Sequence, residues 1–562
     1  MFQGLFQGNE LLTKNTKHKT NFAVSVFFLN FAKEIEFSNI MGSYINVGNT
    51  GFQSSRSSEY IDKSGLISVV NQTLFTKQRF SCVTRCRRFG KSMAAEMLCA
   101  YYDQSCDSRR LFADLEIAND PHFEEHLNKY PVIYLDLSDF VTRFKDESII
   151  AKMQNIIMKD ISEAYPEIPV MEDDDLMAYI IRINAKTNQQ FIFIIDEWDA
   201  VCREFKSGTK AMDKYVDWLR LLFKSGQTEK VFAGVYMTGI LPIKKYNTQS
   251  ALNNFIEYSM VEPMSMSQYF GFTKEEVRVL AEKHGMDFDE LVKWYDGYQI
   301  GDELSMFNPN SVMLALKRGK CESYWARTGA TDLVEDYIRY NYEGLRDDII
   351  FMLSGGHCNV DPVGFQNDLS EVNSRDDVLT VLIHLGYLSY DSEEQKCYIP
   401  NLEVSKEMET AIKSNNWKEV INALRRSEQL LADTLEGDEE AVAKGVEAVH
   451  DDNISIFSYN TENSLSCVVS LAYYYARNKY VVHRELASGK GFADLVLIPR
   501  RNVSSPAVVI ELKKDATPDD AIAQIRSRDY MAKVREHTPD ILLVGISYDT
   551  QTKTHTCKII HN

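Results

Sequence analysis

The chain has 562 residues, which at about 100 to 200 residues per domain points to three or four domains and excludes a small disulfide scaffold or a lone binding module. Its 62 Lys and Arg against 81 Asp and Glu give a net charge of −19 and a pI near 5.2, which excludes a protein that coats nucleic acid or anionic membrane non-specifically but not one with a local basic site. With 44% hydrophobic residues, 13 Pro and 27 Gly, this is the composition of an ordered chain with a large core.

Residues 1–40 place Lys14, Lys17 and Lys19 before an apolar run from Phe22 to Ala32. The run is interrupted by Asn30 and followed by no small-x-small cleavage site, so the segment reads as a non-conforming extension, with Met41 as an alternative start. The ten cysteines show neither paired Cys-x-x-Cys nor zinc spacing and read as reduced thiols of a cytoplasmic protein. No apolar run reaches the roughly 18 residues of a membrane-spanning helix.

Residues 41–265 alternate short apolar runs with helical stretches. The runs FSCVT (80–84), VIYLDL (132–137), FIFII (191–195) and VFAGVYMT (231–238) are continuous rather than alternating. They predict strands covered on both faces, hence an α/β fold with a mostly parallel sheet and helices on each side. Residues 147–165 and 174–184 carry apolar side chains at helical spacing.

Residues 266–452 read as a mainly helical middle region. Thr273, Glu276 and Gly285 mark the cap, capping-box partner and stop of one helix. A helix near Asp376 running into YLSY, an acidic turn and KCYIP suggests either a winged-helix-like unit or an ordinary helix-hairpin element. The acidic stretch 428–452 reads as helix plus hinge. Residues 453–562 then predict a small α/β unit in the order helix, three strands, helix, two strands. This last unit holds 14 basic and 11 acidic residues, and 14 − 11 = +3 leaves −22 for residues 1–452. The acidity therefore sits outside the last unit, which is mildly basic.

The strand FSCVT runs into RCRRFGKS and then a helical segment. A phosphate-binding loop uses backbone amides at a helix N-terminus to cradle phosphates, a Lys to reach the β and γ groups, and a Ser hydroxyl in the Mg²⁺ shell. Gly90, Lys91 and Ser92 fit those roles, and Arg85 stands where the first glycine usually falls. The strand FIFIIDE ends in Asp196, placed to hold Mg²⁺, and Glu197, placed to polarise the attacking water. Thr238 can sense the γ-phosphate or merely cap its strand. Arg85, Arg87 and Arg88 can meet phosphate in their own subunit or in a neighbour, which would make the protein a homo-oligomer, or can pair with acids.

In the last unit, Asp494 lies on ADLVLIP, and Glu511 and Lys513 lie two apart on AVVIELKK, hence on one face of a strand whose hairpin partner brings Asp494 alongside. Two carboxylates and a lysine suit Mg²⁺, or Mn²⁺, and phosphodiester hydrolysis. Glu462 on the preceding helix and Gln524 on the following one complete the pattern E…D…E-x-K…Q, which resembles the PD-(D/E)XK nuclease superfamily. The alternatives are a surface ion-pair cluster and a retained fold that no longer cleaves.

The series YIDKSGLI (60–67), TRCRRFGKS, FIIDEWDA, VYMTGILPI, LNNF (252–255), WYDGY (294–298), FNP (307–309), YWARTG (324–329) and IPNLEV (399–404) resembles the bacterial and archaeal AAA-ATPase-like family. Members commonly carry a C-terminal nuclease-superfamily domain, and their loop reads RPRRFGKS, so Arg85 is the family's own variant. The resemblance implies binding of ATP with Mg²⁺, and a metal-dependent domain acting on DNA or RNA. The alternatives are an ATP-switched binding or regulatory protein with an inactive nuclease-like domain, and a scaffold with both sites degenerate.

Overall fold

The computed structural model describes residues 41–562 except 206–208, 244, 247–248, 251, 302–304, 326–341, 354, 366–371, 415–417, 453–461, 489–490, 501–502 and 504. The expected N-terminal extension and most of the YWARTG segment lie outside the described residues.

Five strands form the first sheet: β1 (Phe80–Thr84), β2 (Val132–Asp136), β3 (Phe191–Asp196), β4 (Phe232–Gly239) and β5 (Ile256–Tyr258). They are all parallel and lie in the order β2-β3-β4-β1-β5. Every residue of β1, β3 and β4 is buried, which is why these runs are continuously apolar. Alternate side chains feed two cores. Phe80, Cys82, Phe193 and Ile195 join Ile157, Ile161 and Ile180 from helices α2 (Ile149–Ala164) and α3 (Leu176–Thr187) on one face. Val83, Ile192 and Ile194 meet Leu98 and Tyr101 of helix α1 (Lys91–Tyr102) on the other. The three-residue edge strand β5 went unforeseen because it is too short and too half-buried to stand out as an apolar run. The chain leaves β1 toward β2 and finally returns to its other flank as β5, so the sheet's topological switch lies at β1, whose C-terminal end opens a crevice.

In the middle region, helix α4 (Lys274–His284) has the expected Thr273–Glu276 capping box and ends at Gly285 with φ 65°. Helices α5 (Phe288–Tyr295) and α6 (Pro309–Arg318) follow. Helix α7 (Arg375–Leu385) leads into the antiparallel pair Ser389–Asp391 and Lys396–Tyr398, and Cys358–Asn359 adds a third strand. Helices α8 (Leu402–Ser414), α9 (Lys418–Glu436) and α10 (Glu439–Asp452) run on to the C-terminal unit. The family-like motifs are tertiary partners here. The carbonyl of Asp296 accepts the Asn401 side-chain amide at 2.9 Å, and a Cβ on Gly297 would lie 2.1 Å from the Pro400 carbonyl.

The C-terminal unit opens with helix α11 (Glu462–Ala472). Its sheet contains β6 (Tyr480–Ser488), β7 (Gly491–Pro499), β8 (Ala507–Lys514), β9 (Ile541–Asp549) and β10 (Thr554–His561) in sequential order, antiparallel except for the parallel pair β8–β9. Helix α12 (Pro518–Arg528) makes the β8–β9 crossover, the connection a parallel pair needs. Val496, Val509 and Leu543 pack under Ile522 and Ile525 of α12. The opposite face, with Leu495, Leu497, Val508 and Ile510, joins Leu430, Val442 and Val446 of α9 and α10 in one core that also contains Val378 and Leu382 of α7. Apolar packing thus runs unbroken across the expected junction at 452/453.

Strand β9 approaches the start of α12 so closely that a Cβ on Gly545 would sit 2.3 Å from the Pro518 carbonyl. Gly545→Ala should therefore cost about 1–3 kcal/mol, read as a lower urea midpoint; an unchanged midpoint would show that α12 shifts freely.

Candidate nucleotide and paired-carboxylate sites

The crevice at the end of β1 is a cavity of about 900 Å³ lined by Gly90, Lys91, Ser92, Asp196, Glu197 and, from the middle region, Asn310 and Met313 of α6. Gly90 adopts φ 89° as the N-cap of α1, a left-handed turn that glycine enters without steric penalty. Lys91 is buried, and its Nζ donates to the carbonyls of Arg85 at 3.1 Å and Cys86 at 3.2 Å. Ser92 is exposed to the cavity, and its hydroxyl bonds Asp196. Asp196 is buried and also accepts the Thr238 hydroxyl; burial raises its pKa, opposed by these two hydrogen bonds. In the structure, then, Thr238 holds the Asp196 carboxylate.

Glu197 has φ 52°, and its carboxylate accepts from Arg203 while lying 3.9 Å from the Lys91 ammonium. Arg203 also pairs with the wholly buried Asp199 at 3.2 Å. Asp199 in turn accepts the backbone N–H groups of Ile240 at 3.2 Å and Leu241 at 3.0 Å, and the Trp198 indole N–H donates to the Leu241 carbonyl at 3.1 Å. This is why DEWDA and MTGIL occur together: a Cβ on Gly239 would fall 2.5 Å from the Trp198 ring.

Arg85 is fully buried and turned away from the cavity. Its Nη1 donates to the carbonyls of Thr84 (2.8 Å), Tyr258 (2.7 Å) and Ser259 (3.0 Å), its guanidinium lies 5.3 Å from the Phe270 ring centroid, and burial pushes its pKa down to about 10. The expectation that Arg85 can contact phosphate is corrected: its Nη1 and Nη2 donate to backbone carbonyls and the whole side chain is sealed in the core. Arg88 has φ 68° and donates to the Tyr324 carbonyl at 3.0 Å. Tyr324 N–H in turn donates to Glu403 at 2.7 Å, so Arg88 ties the loop to the middle region at the cavity rim. Arg87 also lines the cavity.

In the C-terminal sheet the β7–β8 register pairs Leu495 with Ile510. Asp494 and Glu511 are the next residues along, and Asp494 accepts the Leu512 N–H at 2.8 Å. Glu511 is buried; one of its oxygens accepts Lys513 Nζ at 3.2 Å and the Gln524 amide, while the other has no partner. Burial first, then the Asp494 carboxylate, pushes the Glu511 pKa up to about 7. Tyr530 meets the Gln524 amide at 3.2 Å. Glu462 is the first residue of α11, and its side chain lies outside the described residues. No cluster of three or more His, Cys, Asp or Glu able to hold a metal occurs among the described residues. The donors present are the two carboxylates, one with an orphaned oxygen.

Residues 46–248 match the family model described as "Predicted AAA-ATPase", and residues 461–558 match that of the PD-(D/E)XK nuclease superfamily. The chain joins an AAA-ATPase-like region to a PD-(D/E)XK nuclease-superfamily domain. It is 24% identical over 287 residues to an uncharacterized protein in the vnfD 5′ region of Azotobacter chroococcum mcd 1, a match spanning 50% of this chain and about half, 52%, of that relative. Among solved structures, the Aeropyrum pernix ORC2 protein in its ADPNP-ADP complexes aligns over 64% of this chain and 97% of its own, with 11% identity and a TM-score of 0.32. The ORC1 protein of the same organism, in complex with DNA, aligns over 68% of this chain and 100% of its own, with 12% identity and a TM-score of 0.23.

The sequence reading missed Arg203 and Asp199 in the AAA-ATPase-like region. Asp199 stands in the quoted DEWDA motif, but its partners lie some forty residues on, and Arg203 is an unremarkable charge on a short helix.

The raised Glu511 pKa fixes a sign. The fold prefers the protonated carboxyl, so stability is full below the ordinary value of 4.5 and is lost as pH rises to about 7, by about 3 kcal/mol in the metal-free protein. Glu511→Gln should abolish this slope between pH 5 and pH 8 in EDTA, measured by urea denaturation; a slope unchanged in the variant would place its source elsewhere.

Proposed function

We propose that the chain is an ATP-hydrolysing switch that controls a Mg²⁺-dependent nuclease domain acting on nucleic acid. The observation that carries this reading is the buried Glu511 carboxylate, with one oxygen unpartnered beside Asp494 and Lys513. A buried carboxylate left half-satisfied is costly unless it takes up a proton or a cation completes it, and the Asp494 carboxylate beside it favours a divalent cation.

In the nucleotide site, Lys91 would exchange the carbonyls of Arg85 and Cys86 for the β and γ phosphates, and Gly90 with the α1 N-terminus would supply backbone amides. Ser92 and Asp196, already bonded to each other, are the pair that would hold Mg²⁺. Glu197 would accept a proton from water once released from Arg203. Tyr60, Tyr269 and Met313 give the same cavity an apolar side suited to a base.

In the second site Asp494 and Glu511 would hold Mg²⁺ or Mn²⁺. A divalent cation bound there supplies an activated water and neutralises charge on a phosphodiester. Gln524 and Lys513 donate to Glu511 and position it, and the Lys513 ammonium would also offset charge on a phosphodiester bound there. Among the described residues no helix is long and apolar enough to cross a membrane.

Lys91→Ala should abolish ATP binding, and Glu197→Gln should keep binding while turnover falls at least about 100-fold. With DNA and RNA, single- and double-stranded, Mg²⁺-dependent cleavage should disappear in Asp494→Ala and in Glu511→Ala. Cleavage surviving in both variants would refute the nuclease assignment. Binding without cleavage by the wild type would leave a nucleotide-switched binding protein.

A further inference from the structure

We propose that Lys293, Lys406, Arg477 and Arg500 form a second phosphate-binding site, separate from both sites above, at the seam between the helical middle region and the nuclease-superfamily domain. Lys293 lies on α5 and Lys406 on α8. Arg477 lies in the short 3-10 helix Tyr474–Asn478 just before β6, and Arg500 directly follows β7. The register Tyr480 to Pro499 puts the two arginines at one end of the β6–β7 hairpin. That end is six residues from Asp494, or roughly 20 Å along an extended strand, so a ligand there would not occupy the paired-carboxylate site.

Lys293 neighbours the other three cations, and Arg500 neighbours both Lys406 and Arg477. Burial first, then Arg500 and Arg477, push the Lys293 pKa down to about 7, with Lys406 adding to the effect and Glu290 opposing it. The Lys293 ammonium is sealed from solvent and has no hydrogen-bond partner, and the Arg500 Nε is likewise unpartnered. The remaining contacts hold the cations in place without neutralising them. Lys406 Nζ lies 4.5 Å from the Trp294 ring centroid. The Arg477 guanidinium stands 4.9 Å from the Tyr474 ring centroid and donates to the Ser405 hydroxyl at 3.3 Å. Arg500 donates to the Arg477 carbonyl at 3.2 Å. Against them stand two carboxylates, Glu290 at 3.8 Å from Arg500 and Glu409, which acts on Lys406 and Arg477.

In a chain of net charge −19, gathering four basic groups around two acids and leaving a lysine amine dry and unpaired is unfavourable: either Lys293 gives up its proton or an anion completes the site. With Lys293 partly neutral near pH 7, the cluster carries an excess of one to two positive charges, and its two guanidinium forks and two amine groups match a phosphate, which would itself restore the charge on Lys293. The phosphate can belong to a nucleic-acid backbone or to a free phosphate ligand. The inference rests on neither ATP turnover nor cleavage.

The test uses the full-length protein with Lys91→Ala as background, so that phosphate at the P-loop is not counted. Inorganic phosphate is titrated calorimetrically at constant ionic strength in KCl, and a fluorescein-labelled single-stranded oligonucleotide is followed by anisotropy. Lys293→Met and Arg500→Gln should each weaken phosphate binding at least tenfold. Lys293→Met removes an unpaired buried charge, so its thermal midpoint without phosphate should equal or exceed that of its parent; Arg500→Gln supplies the same readout from the rim if Lys293→Met folds poorly. A parallel loss of oligonucleotide affinity identifies the backbone as the source of the phosphate, and unchanged oligonucleotide affinity identifies a free phosphate ligand. Phosphate binding no tighter than expected from ionic strength, or equal in parent and variants, overturns the proposal.

Discussion

The buried guanidinium of Arg85 is the contact on which the AAA-ATPase-like half depends. It stands at the end of β1, where the chain must turn into the phosphate loop, and it gathers carbonyls from Thr84, Tyr258 and Ser259. Those carbonyls belong to β1, β5 and the start of the passage to the middle region, so one cation fixes the exit of the central strand, an edge strand and the first step toward α4. A charge this deep, with no carboxylate partner among these contacts, is tolerable because backbone dipoles surround it. It also explains how the loop dispenses with the usual first glycine: the side chain leaves the cradle altogether and becomes part of the core.

A second tie lies on the other side of the loop. Arg88 reaches the Tyr324 carbonyl, and the Tyr324 N–H reaches Glu403 at the start of α8. The phosphate loop is thus fastened on one flank to the sheet and on the other to the helical region whose α6 roofs the cavity. A nucleotide entering that cavity would meet groups from both.

Much of this was legible in the sequence, and for definite reasons. Strands buried on both faces leave continuous apolar runs, so β1 to β4 were found almost to the residue, and the capping box of α4 is a local signal that needs no tertiary context. The Glu511–Lys513 spacing and the hairpin to Asp494 follow from strand periodicity alone. What could not be read was long-range. The commitment of Arg85 to Tyr258 depends on a strand of three residues, and the pairing of Glu197 with Arg203 on a short helix. The cation cluster at Lys293 comes from four segments spread over more than two hundred residues. The N-terminal segment 1–40 and the Glu462 side chain fall outside the described residues.

The unbroken apolar packing across 452/453 bears on how this chain can be divided. One face of the β6–β10 sheet carries Leu495, Leu497, Val508 and Ile510 into a core completed by Leu430, Val442 and Val446, while backbone amides of β10 are capped by Glu439 and Glu447 of α10. A fragment beginning at Asn453 would keep α11, whose Val468 and Val469 share the core with β7 and β8, but would lose the cover that α10 gives to β10. The matched segment alone therefore lacks part of its own packing: a longer piece that keeps α9 and α10 retains both the apolar cover and the carboxylate caps on β10 that one beginning at Asn453 gives up.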